Sequence, residues 1–266
     1  MKIVVCVKQV PDTKGGVKFN PDGTLDRGAM LAIMNPDDKA GLEAALRLKD
    51  QYGAEVTVVT MGLPKAEEVL REAMAMGADE AVLVSAREFG GSDTYATSQI
   101  LAAAISTIGV EEDDIVMCGR QAIDGDTAQV GPQIAEKLGL PQVSYAADIE
   151  KEGDTLTVRR MLEDGYMMIR VKTPCLITCI KELNEPRYMN VKGIFDCYAK
   201  PFEIFDYEML KDDPLIDLGT IGLKGSPTNI FRSFTPMGKS GGRMLSGDEK
   251  SMCSELAALL SARNLI

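Results

Sequence analysis

The sequence predicts an α/β fold built on a parallel sheet. Short runs of β-branched residues alternate with longer amphipathic stretches, and glycine or proline separates the two kinds of segment. The alternation continues through roughly the first 140 residues. Strands that alternate with helices in this way favour parallel pairing, with helices on both faces of the sheet. The 266 residues allow one such domain and an appendage.

The first part of the chain contains four predicted strands and four predicted helices. The strands are Lys2–Val7, Glu55–Thr60, Glu80–Val84 and Asp114–Cys118. The helices are Pro36–Tyr52, Pro64–Met76, Thr94–Ile108 and Thr127–Leu138. Pro36 suits the first helical position and Asn35 suits the N-cap before it. A glycine follows each helix, as is typical of a C-cap: Gly53, Gly77, Gly109 and Gly139.

The second part of the chain has a different pattern. Gly153-Asp154 between Asp148–Glu152 and Thr155–Arg160 predicts a hairpin. Further strands are expected at Met167–Lys172 and Leu176–Ile180. We therefore divide the chain into a domain at 1–200 and an arm at 201–266 that ends in a helix near 248–263. An arm with so little core of its own is expected to fold onto its domain or around another chain.

Composition excludes several functions. Lys and Arg number 29 against 40 Asp and Glu, a net charge of −11, so neither nucleic acid nor a membrane surface is an expected partner. With no apolar stretch long enough for a membrane span and no visible signal peptide, a cytoplasmic location is expected. The absence of His excludes Ser-His-Asp and Cys-His nucleophiles and His-containing zinc sites. Six cysteines without a CxxC pair indicate buried reduced thiols and no metal site.

The strongest local signal is the segment Cys118–Gly131, in which a buried strand leads through a glycine-bearing loop into a helix. Ligands bind such sheets at the carboxyl ends of the strands, and a helix N-terminus attracts a pyrophosphate. Arg120 adds positive charge, and Thr127 and Gln129 add hydrogen-bond donors. Asp124 and Asp126 are expected to cap the helix or to accept from ribose hydroxyls. The pattern also fits a capped helix entry without any ligand.

Three further loops belong to the same edge if the sheet is parallel. They are Val7–Thr13, Asn35–Asp38 and Gly90–Thr97. The hydroxyls and amides of Gly90–Thr97 suit the polar edge of a ring, although each of the three loops alone is more typical of a turn followed by an N-cap.

In the order of its motifs, the chain resembles the beta subunit of electron transfer flavoproteins along essentially its whole length. The matching blocks are Val5–Asp12, Met34–Pro36, Ala73–Asp79, Gly119–Gly131 and Leu183–Tyr188. The family's signature region falls on Val158–Thr178; it fits at Val158, Arg160, Glu163–Gly165 and Pro174 and departs at Met167-Met168.

The resemblance implies a Rossmann-like, adenine nucleotide alpha hydrolase-like domain in a heterodimer with an alpha subunit that carries FAD. In the ordinary group the beta subunit holds a structural AMP. In the electron-bifurcating group it holds a second FAD, which oxidises NADH and supplies ferredoxin or flavodoxin and, through the alpha subunit, an acyl-CoA dehydrogenase. Lys8–Thr13, Ser92–Ser98 and Asp124–Thr127 look like the bifurcating group, which we favour over AMP. An adenine-nucleotide sensor module unrelated to redox chemistry is the alternative from another class.

Carried over residue by residue, the resemblance implies two sets of functional residues. The cofactor-binding set is Cys6, Lys8, Asn35, Pro36, Asp37, Asp38, Asp93, Thr94, Thr97, Arg120, Gln121, Ala122, Ile123, Asp124, Gly125, Asp126, Thr127, Ala128, Gln129, Val130 and Gly131. No side chain is expected to be catalytic, because the flavin carries the chemistry, and Arg120 and Thr94 are candidates to tune it. A partner-recognition loop at 184–196 contains the second set, Glu185, Arg187, Tyr188, Val191 and Ile194. The arm at 201–266 is expected to pack on the alpha subunit.

Overall fold

The computed structural model describes residues 1–12, 31–228 and 241–266. Its strands are β1 (Lys2–Cys6), β2 (Gln9–Pro11), β3 (Ala32–Met34), β4 (Glu55–Met61), β5 (Glu80–Val84), β6 (Ile115–Gly119), β7 (Gln142–Glu152), β8 (Thr155–Met161), β9 (Tyr166–Lys172), β10 (Cys175–Cys179) and β11 (Glu203–Phe205). Its α-helices are α1 (Pro36–Tyr52), α2 (Glu67–Met76), α3 (Thr94–Ile108), α4 (Val130–Leu138), α5 (Val191–Ala199), α6 (Tyr207–Leu210), α7 (Gly222–Gly225) and α8 (Glu249–Ser261).

Within the described residues, nine strands form one sheet in the order β11-β5-β4-β1-β6-β10-β7-β8-β9. Pairing is parallel from β11 through β7, and β8 and β9 continue the sheet in antiparallel fashion. The predicted α/β class is therefore confirmed. The antiparallel strands include the hairpin expected around Gly153-Asp154.

The sheet separates two hydrophobic cores because successive side chains of a strand point to opposite faces. Ile3 and Val5 of β1 pack with the buried side of α1 and α2. Val4 and Cys6 pack with α3 and α4 on the other face. Both faces of the central strands are thus covered, which explains why the sequences of these strands are continuous apolar runs.

Several elements differ from the sequence predictions. Helix α4 begins at Val130 instead of Thr127, because Asp126 and Ala128 adopt positive φ angles of 50° and 52° that a right-handed helix excludes. Strand β7 begins at Gln142, six residues before the predicted Asp148. The short elements β2, β3, α5, α6, α7 and β11 were not predicted. Thr13 of the predicted first loop lies outside the described residues.

The chain divides into two compact units, Met1–Ile230 and Phe231–Ile266. The sequence placed its boundary at residue 200, but the first unit continues past it because Phe205, Leu210, Ile216 and Ile221 are buried in the core above α3. In the second unit, Asp248 caps α8 by accepting from Ser251 N at 2.9 Å. Arg243 forms an ion pair with Glu255 there. Among the described residues, no helix has both the length and the apolarity that a bilayer crossing needs.

Candidate functional site

A cleft of about 630 Å³ opens at the carboxyl edge of the parallel strands. Its walls are the segments that follow four strands: Val7-Lys8 after β1, Gly62-Leu63 after β4, Ala86–Asp93 after β5 and Arg120–Gln129 after β6. Helix α3 closes one side with Thr97 and Leu101. This is the edge at which open α/β sheets bind ligands, and a volume of several hundred Å³ suits a nucleotide-sized molecule.

The loop after β6 is held in place by the side chain of Asn35, which is fully buried. Its amide Nδ2 donates to Gln121 O at 2.8 Å, and its Oδ1 accepts from Ile123 N at 3.1 Å. Asn35 occupies the N-cap position of α1 as predicted, but its side chain makes no capping hydrogen bond. The same residue type serves a longer-range purpose, because a primary amide can donate and accept at once and so bridge two backbone groups of one loop.

Asp38 joins the ends of two neighbouring strands beneath the cleft. Its carboxylate accepts from Lys8 N at 2.8 Å and from Gly119 N at 2.9 Å. Burial raises the pKa of this carboxyl to about 7, against the lowering effect of hydrogen bonds from Asn35, Lys8 and Gly119. The cleft floor therefore contains a carboxyl that titrates near neutral pH.

Arg120 lies in the cleft wall, and its guanidinium is next to the Asp37 carboxylate. Arg120 Nε lies 3.2 Å from Asp37 Oδ2, and Asp37 Oδ1 accepts from Lys181 N at 3.1 Å. The pKa of Asp37 is nevertheless raised, because burial outweighs the attraction of Arg120. Within the described part of the chain, neither Arg120 Nε nor Asp37 Oδ2 has a hydrogen-bond partner of good geometry. Arg120 Nε thus faces Asp37 in an ion pair, while the Arg120 side chain is among the residues that line the cleft.

Two polar contacts join different segments at the mouth of the cleft, and a third lies within the loop after β6. Lys8 Nζ lies 2.8 Å from Asp124 Oδ1, and Thr94 Oγ1 donates to Gln129 Oε1 at 2.9 Å. Gln121 Nε2 donates to Asp126 Oδ1 at 2.8 Å. Asp124 and Asp126 thus pair with side chains of the cleft. Of the two roles expected for them, helix capping is not seen, because Gln129 is the N-cap residue of α4 and makes no side-chain capping bond.

One half of the cleft is apolar. Met61 and Leu63 form its rim, and Phe89 and Leu101 lie deeper. Sequence reasoning did not place these cleft residues in any candidate segment: Met61, Gly62, Leu63, Val84, Ala86, Phe89 and Leu101. The position of Met61, Gly62 and Leu63 at the carboxyl end of β4 was the signal that predicts them, because the segment after every parallel strand reaches the same edge of the sheet.

Two thiols lie at the cleft floor. Cys6 and Cys118 are register partners on β1 and β6, and both side chains are buried. Hydrogen bonding to Cys6, together with burial, raises the pKa of Cys118 well above its usual value. Cys118 is therefore a protonated packing group and not a nucleophile.

Most of the predicted cofactor-binding residues line this one cleft. They are Cys6, Lys8, Asp38, Asp93, Thr94, Thr97, Arg120, Gln121, Ala122, Gly125, Asp126, Thr127, Ala128, Gln129, Val130 and Gly131. Five others do not line it: Asn35, Pro36, Asp37, Ile123 and Asp124. Of these, Asn35 holds the loop after β6, Asp37 pairs with Arg120, and Asp124 pairs with Lys8 at the mouth.

The residues proposed for partner docking lie on a different surface. Tyr188 is 98% exposed and Val191 is 72% exposed, while the Arg187 guanidinium is bound to Glu43 and Asp50. Helix α5 begins at Val191, so Phe195 and Tyr198 share its exposed side, spaced by four and three residues. Sequence reasoning missed these two aromatic residues because it treated the segment as a loop.

A mostly parallel sheet with helices on both faces and a cleft at its carboxyl edge defines the doubly wound α/β class. Residues 22–205 match the electron transfer flavoprotein domain. The chain belongs to the electron transfer flavoprotein family, as a beta subunit.

Three relatives match over 100% of both chains. The chain is 62% identical to the acryloyl-CoA reductase electron transfer subunit gamma of Anaerotignum propionicum. It is 51% identical to the caffeyl-CoA reductase-Etf complex subunit CarD of Acetobacterium woodii and 51% identical to the electron transfer flavoprotein subunit beta of Clostridium acetobutylicum.

Proposed function

We propose that this beta subunit binds FAD in the cleft and oxidises NADH as part of an electron-bifurcating flavoprotein. The observation that carries the proposal is the two-part lining of the cleft. Lys8, Arg120 and the loop 119–131 form a polar half, and Met61, Leu63 and Phe89 form an apolar half. A dinucleotide with a charged diphosphate and a large planar ring needs both halves, whereas a mononucleotide needs less of the cleft.

The donor set fits this group chemically. Lys8 and Arg120 supply positive charge for a diphosphate, and the backbone N–H groups of the loop after β6 supply further donors. The strained left-handed backbone at Asp126 and Ala128 supports a functional role for that loop, because such strain persists mainly where the surroundings fix it for a purpose. Asp93 is the N-cap of α3 and Thr94 its first residue, at another wall of the cleft, and we propose that they contact the polar edge of the ring.

A bound flavin would supply the redox chemistry, which is hydride acceptance from NADH and single-electron transfer to ferredoxin or flavodoxin and to the FAD of the alpha subunit. The chain's own residues bind and orient it, and they exclude water with the apolar wall at Phe89 and Leu101. Arg120 and Thr94 tune its potentials through charge and hydrogen bonding. No histidine and no thiolate is required, which agrees with the protonated Cys118 and a sequence without His.

The partners follow from the same reasoning. A flavin-bearing alpha subunit completes the heterodimer, and the C-terminal arm is proposed to pack on it. The exposed apolar side of α5 and the preceding loop dock an acyl-CoA dehydrogenase. The relatives named for acryloyl-CoA and caffeyl-CoA reductase complexes support an unsaturated CoA thioester as the final electron acceptor.

The decisive experiment is a cofactor count on the purified heterodimer. Heat release and chromatography should give two FAD and no AMP per heterodimer, and NADH should bleach both flavins under anaerobic conditions. One FAD with one AMP, and no bleaching by NADH, would replace this proposal by a non-bifurcating electron shuttle. Purification without any flavin-bearing subunit would favour a nucleotide sensor instead.

A further inference from the structure

Helix α1 connects the cleft to the docking surface through three contacts of equal spacing. Asp37 Oδ1 accepts from Lys181 N at 3.1 Å, Asn184 Nδ2 donates to Ala40 O at 3.0 Å, and Glu43 Oε2 accepts from Arg187 N at 3.0 Å. Each pair is separated by 144 positions. Steps of three residues lie on one face of a helix, so residues 181–187 run along α1 with one contact for each turn.

The last contact is the strongest. Glu43 is 3% exposed, and besides the backbone N–H it accepts from Arg187 Nε at 2.9 Å and from Nη2 at 3.3 Å. Burial raises the pKa of Glu43, but the hydrogen bonds from Arg187 and Arg47 outweigh burial and lower it. A buried carboxylate that accepts a fork of charge-assisted bonds fixes both the position and the orientation of its partner.

A second anchor fixes the other end of the exposed surface. Arg71 Nη1 of α2 donates to Cys197 O at 2.6 Å and to Lys200 O at 2.9 Å, at the end of α5. Gly193 packs so tightly on Ala75 O that a Cβ atom at this position would overlap the carbonyl. Only residues 188–190 link Arg187 to α5, so the anchor at Glu43 and the contacts with α2 together fix Tyr188 and the start of α5.

We propose that Glu43 is a positioning residue for electron delivery: through Arg187 it sets the register of the docking surface on α1. This inference rests on the proposed docking role of that surface. Glu43 lies on α1 and not in the lining of the cleft, so its effect is expected on partner binding alone. Asp50 provides a matched comparison, because its exposed carboxylate binds the same guanidinium at 2.8 Å.

The test uses the heterodimer with an acyl-CoA dehydrogenase as electron acceptor. In Glu43→Gln, KM for the acceptor should rise about tenfold, with kcat and the flavin count unchanged, because misplacement weakens docking and not chemistry. Asp50→Asn should change KM by less than about twofold, since exposed ion pairs contribute little. Hydrogen exchange in Glu43→Gln should accelerate at amides 188–199 and stay unchanged at 119–131.

An acceptor KM for Glu43→Gln within about twofold of the wild-type value would overturn the inference. Accelerated exchange at both 188–199 and 119–131 would overturn it as well. If Glu43→Gln fails to fold, Arg187→Lys keeps the charge, removes the fork and should give the same KM and exchange pattern. If the wild-type heterodimer transfers no electrons to any acyl-CoA dehydrogenase, the proposed function fails. The exchange comparison then still decides whether Glu43 positions residues 188–199.

Discussion

Gly119 leaves free the space that the Asp38 carboxylate occupies, with Asp38 Oδ1 2.9 Å from Gly119 N. A Cβ atom at position 119 would overlap Asp38 Oδ1 and the backbone of Asp37. The carboxylate bridges β1 to β6 only because this strand end has no side chain. The glycine therefore determines the shape of the cleft floor without contacting a ligand through a side chain.

Gly119→Ala is expected to destabilise the chain by about 1–3 kcal/mol and to lower cofactor content, because the overlap must push Asp38 out of its hydrogen bonds. Urea unfolding and flavin absorbance of the heterodimer measure the two effects. For stability, Gly125→Ala is the matched control in the same loop, where a Cβ atom would meet no atom within 4 Å. Equal stability of the two variants would contradict the bridging role of Asp38.

The raised pKa of Asp38 predicts a pH-dependent stability. The folded value of about 7 lies above the ordinary 3.8, so between these values the folded state holds a proton that the unfolded state has released. Stability from this group is therefore lost as pH rises from about 4 to 7, by up to about 1.4 kcal/mol per pH unit. The Asp38→Asn variant has no group to titrate at this position. The difference in unfolding free energy, wild type minus variant, should therefore decrease as pH rises through this window.

Urea unfolding at several pH values between 5 and 8 measures this difference. Asp154→Asn is the control, because a hydrogen bond from Lys172 lowers the pKa of that exposed carboxyl and keeps it ionised over the whole range. A difference for Asp38→Asn that stays as flat as the control's would show that Asp38 is already ionised well below neutral pH.

The ion pair between Lys8 and Asp124 predicts opposite effects of its two members on cofactor affinity. Lys8→Gln removes a positive charge from the cleft lining and should weaken FAD binding about fivefold, whereas Asp124→Asn removes the competing carboxylate and should strengthen it about twofold. Titration of the cofactor-free heterodimer measures both. Both changes in affinity should become smaller at high salt. If the two variants changed the affinity in the same direction, the ion pair would act only by holding the two loops together.

Leu63 tests which nucleotide the apolar half of the cleft serves. Its side chain is 80% exposed at the rim. Leu63→Asp should weaken FAD binding about tenfold and leave AMP binding unchanged, because we propose that the flavin ring, which AMP lacks, packs on this apolar rim. Competitive titration with both nucleotides gives the ratio. An equal loss for both would place the adenine, and not the flavin ring, in the apolar half.

The sequence predicted the sheet and its main helices well, because a buried parallel strand such as Lys2–Cys6 and a helix such as Pro36–Tyr52 have strong local signals. It predicted less about β11 and α5, which are three and nine residues long and take their stability from tertiary packing. Gly193, for example, has no helix propensity in its favour and is placed by its contact with α2.

The candidate site also divides into features that local sequence signals predict and features that arise only from tertiary contacts. Loops at the carboxyl edge were predictable from strand order, and the loop after β6 lines the cleft. The partners of Asn35 and Asp38 were not predictable, since residues 35 and 38 meet residues 121 and 119 only after folding. Local patterns assign a polar residue before a helix to capping, and they contain no information on a bond across 80 positions.

The exposed side of α5 predicts a dependence of electron delivery on apolar contact. Phe195→Asp places a charge where a partner must bury an apolar surface, so KM for an acyl-CoA dehydrogenase should rise at least about tenfold with NADH-dependent flavin bleaching unchanged. Lys192→Ala is the matched control on the same helix, because it removes only an exposed ion pair with Asp196. Steady-state transfer at varied acceptor concentration separates KM from kcat. If Phe195→Asp behaves like Lys192→Ala, the dehydrogenase docks elsewhere on the heterodimer, and the exposed aromatic side chains of α5 must then be covered by another partner.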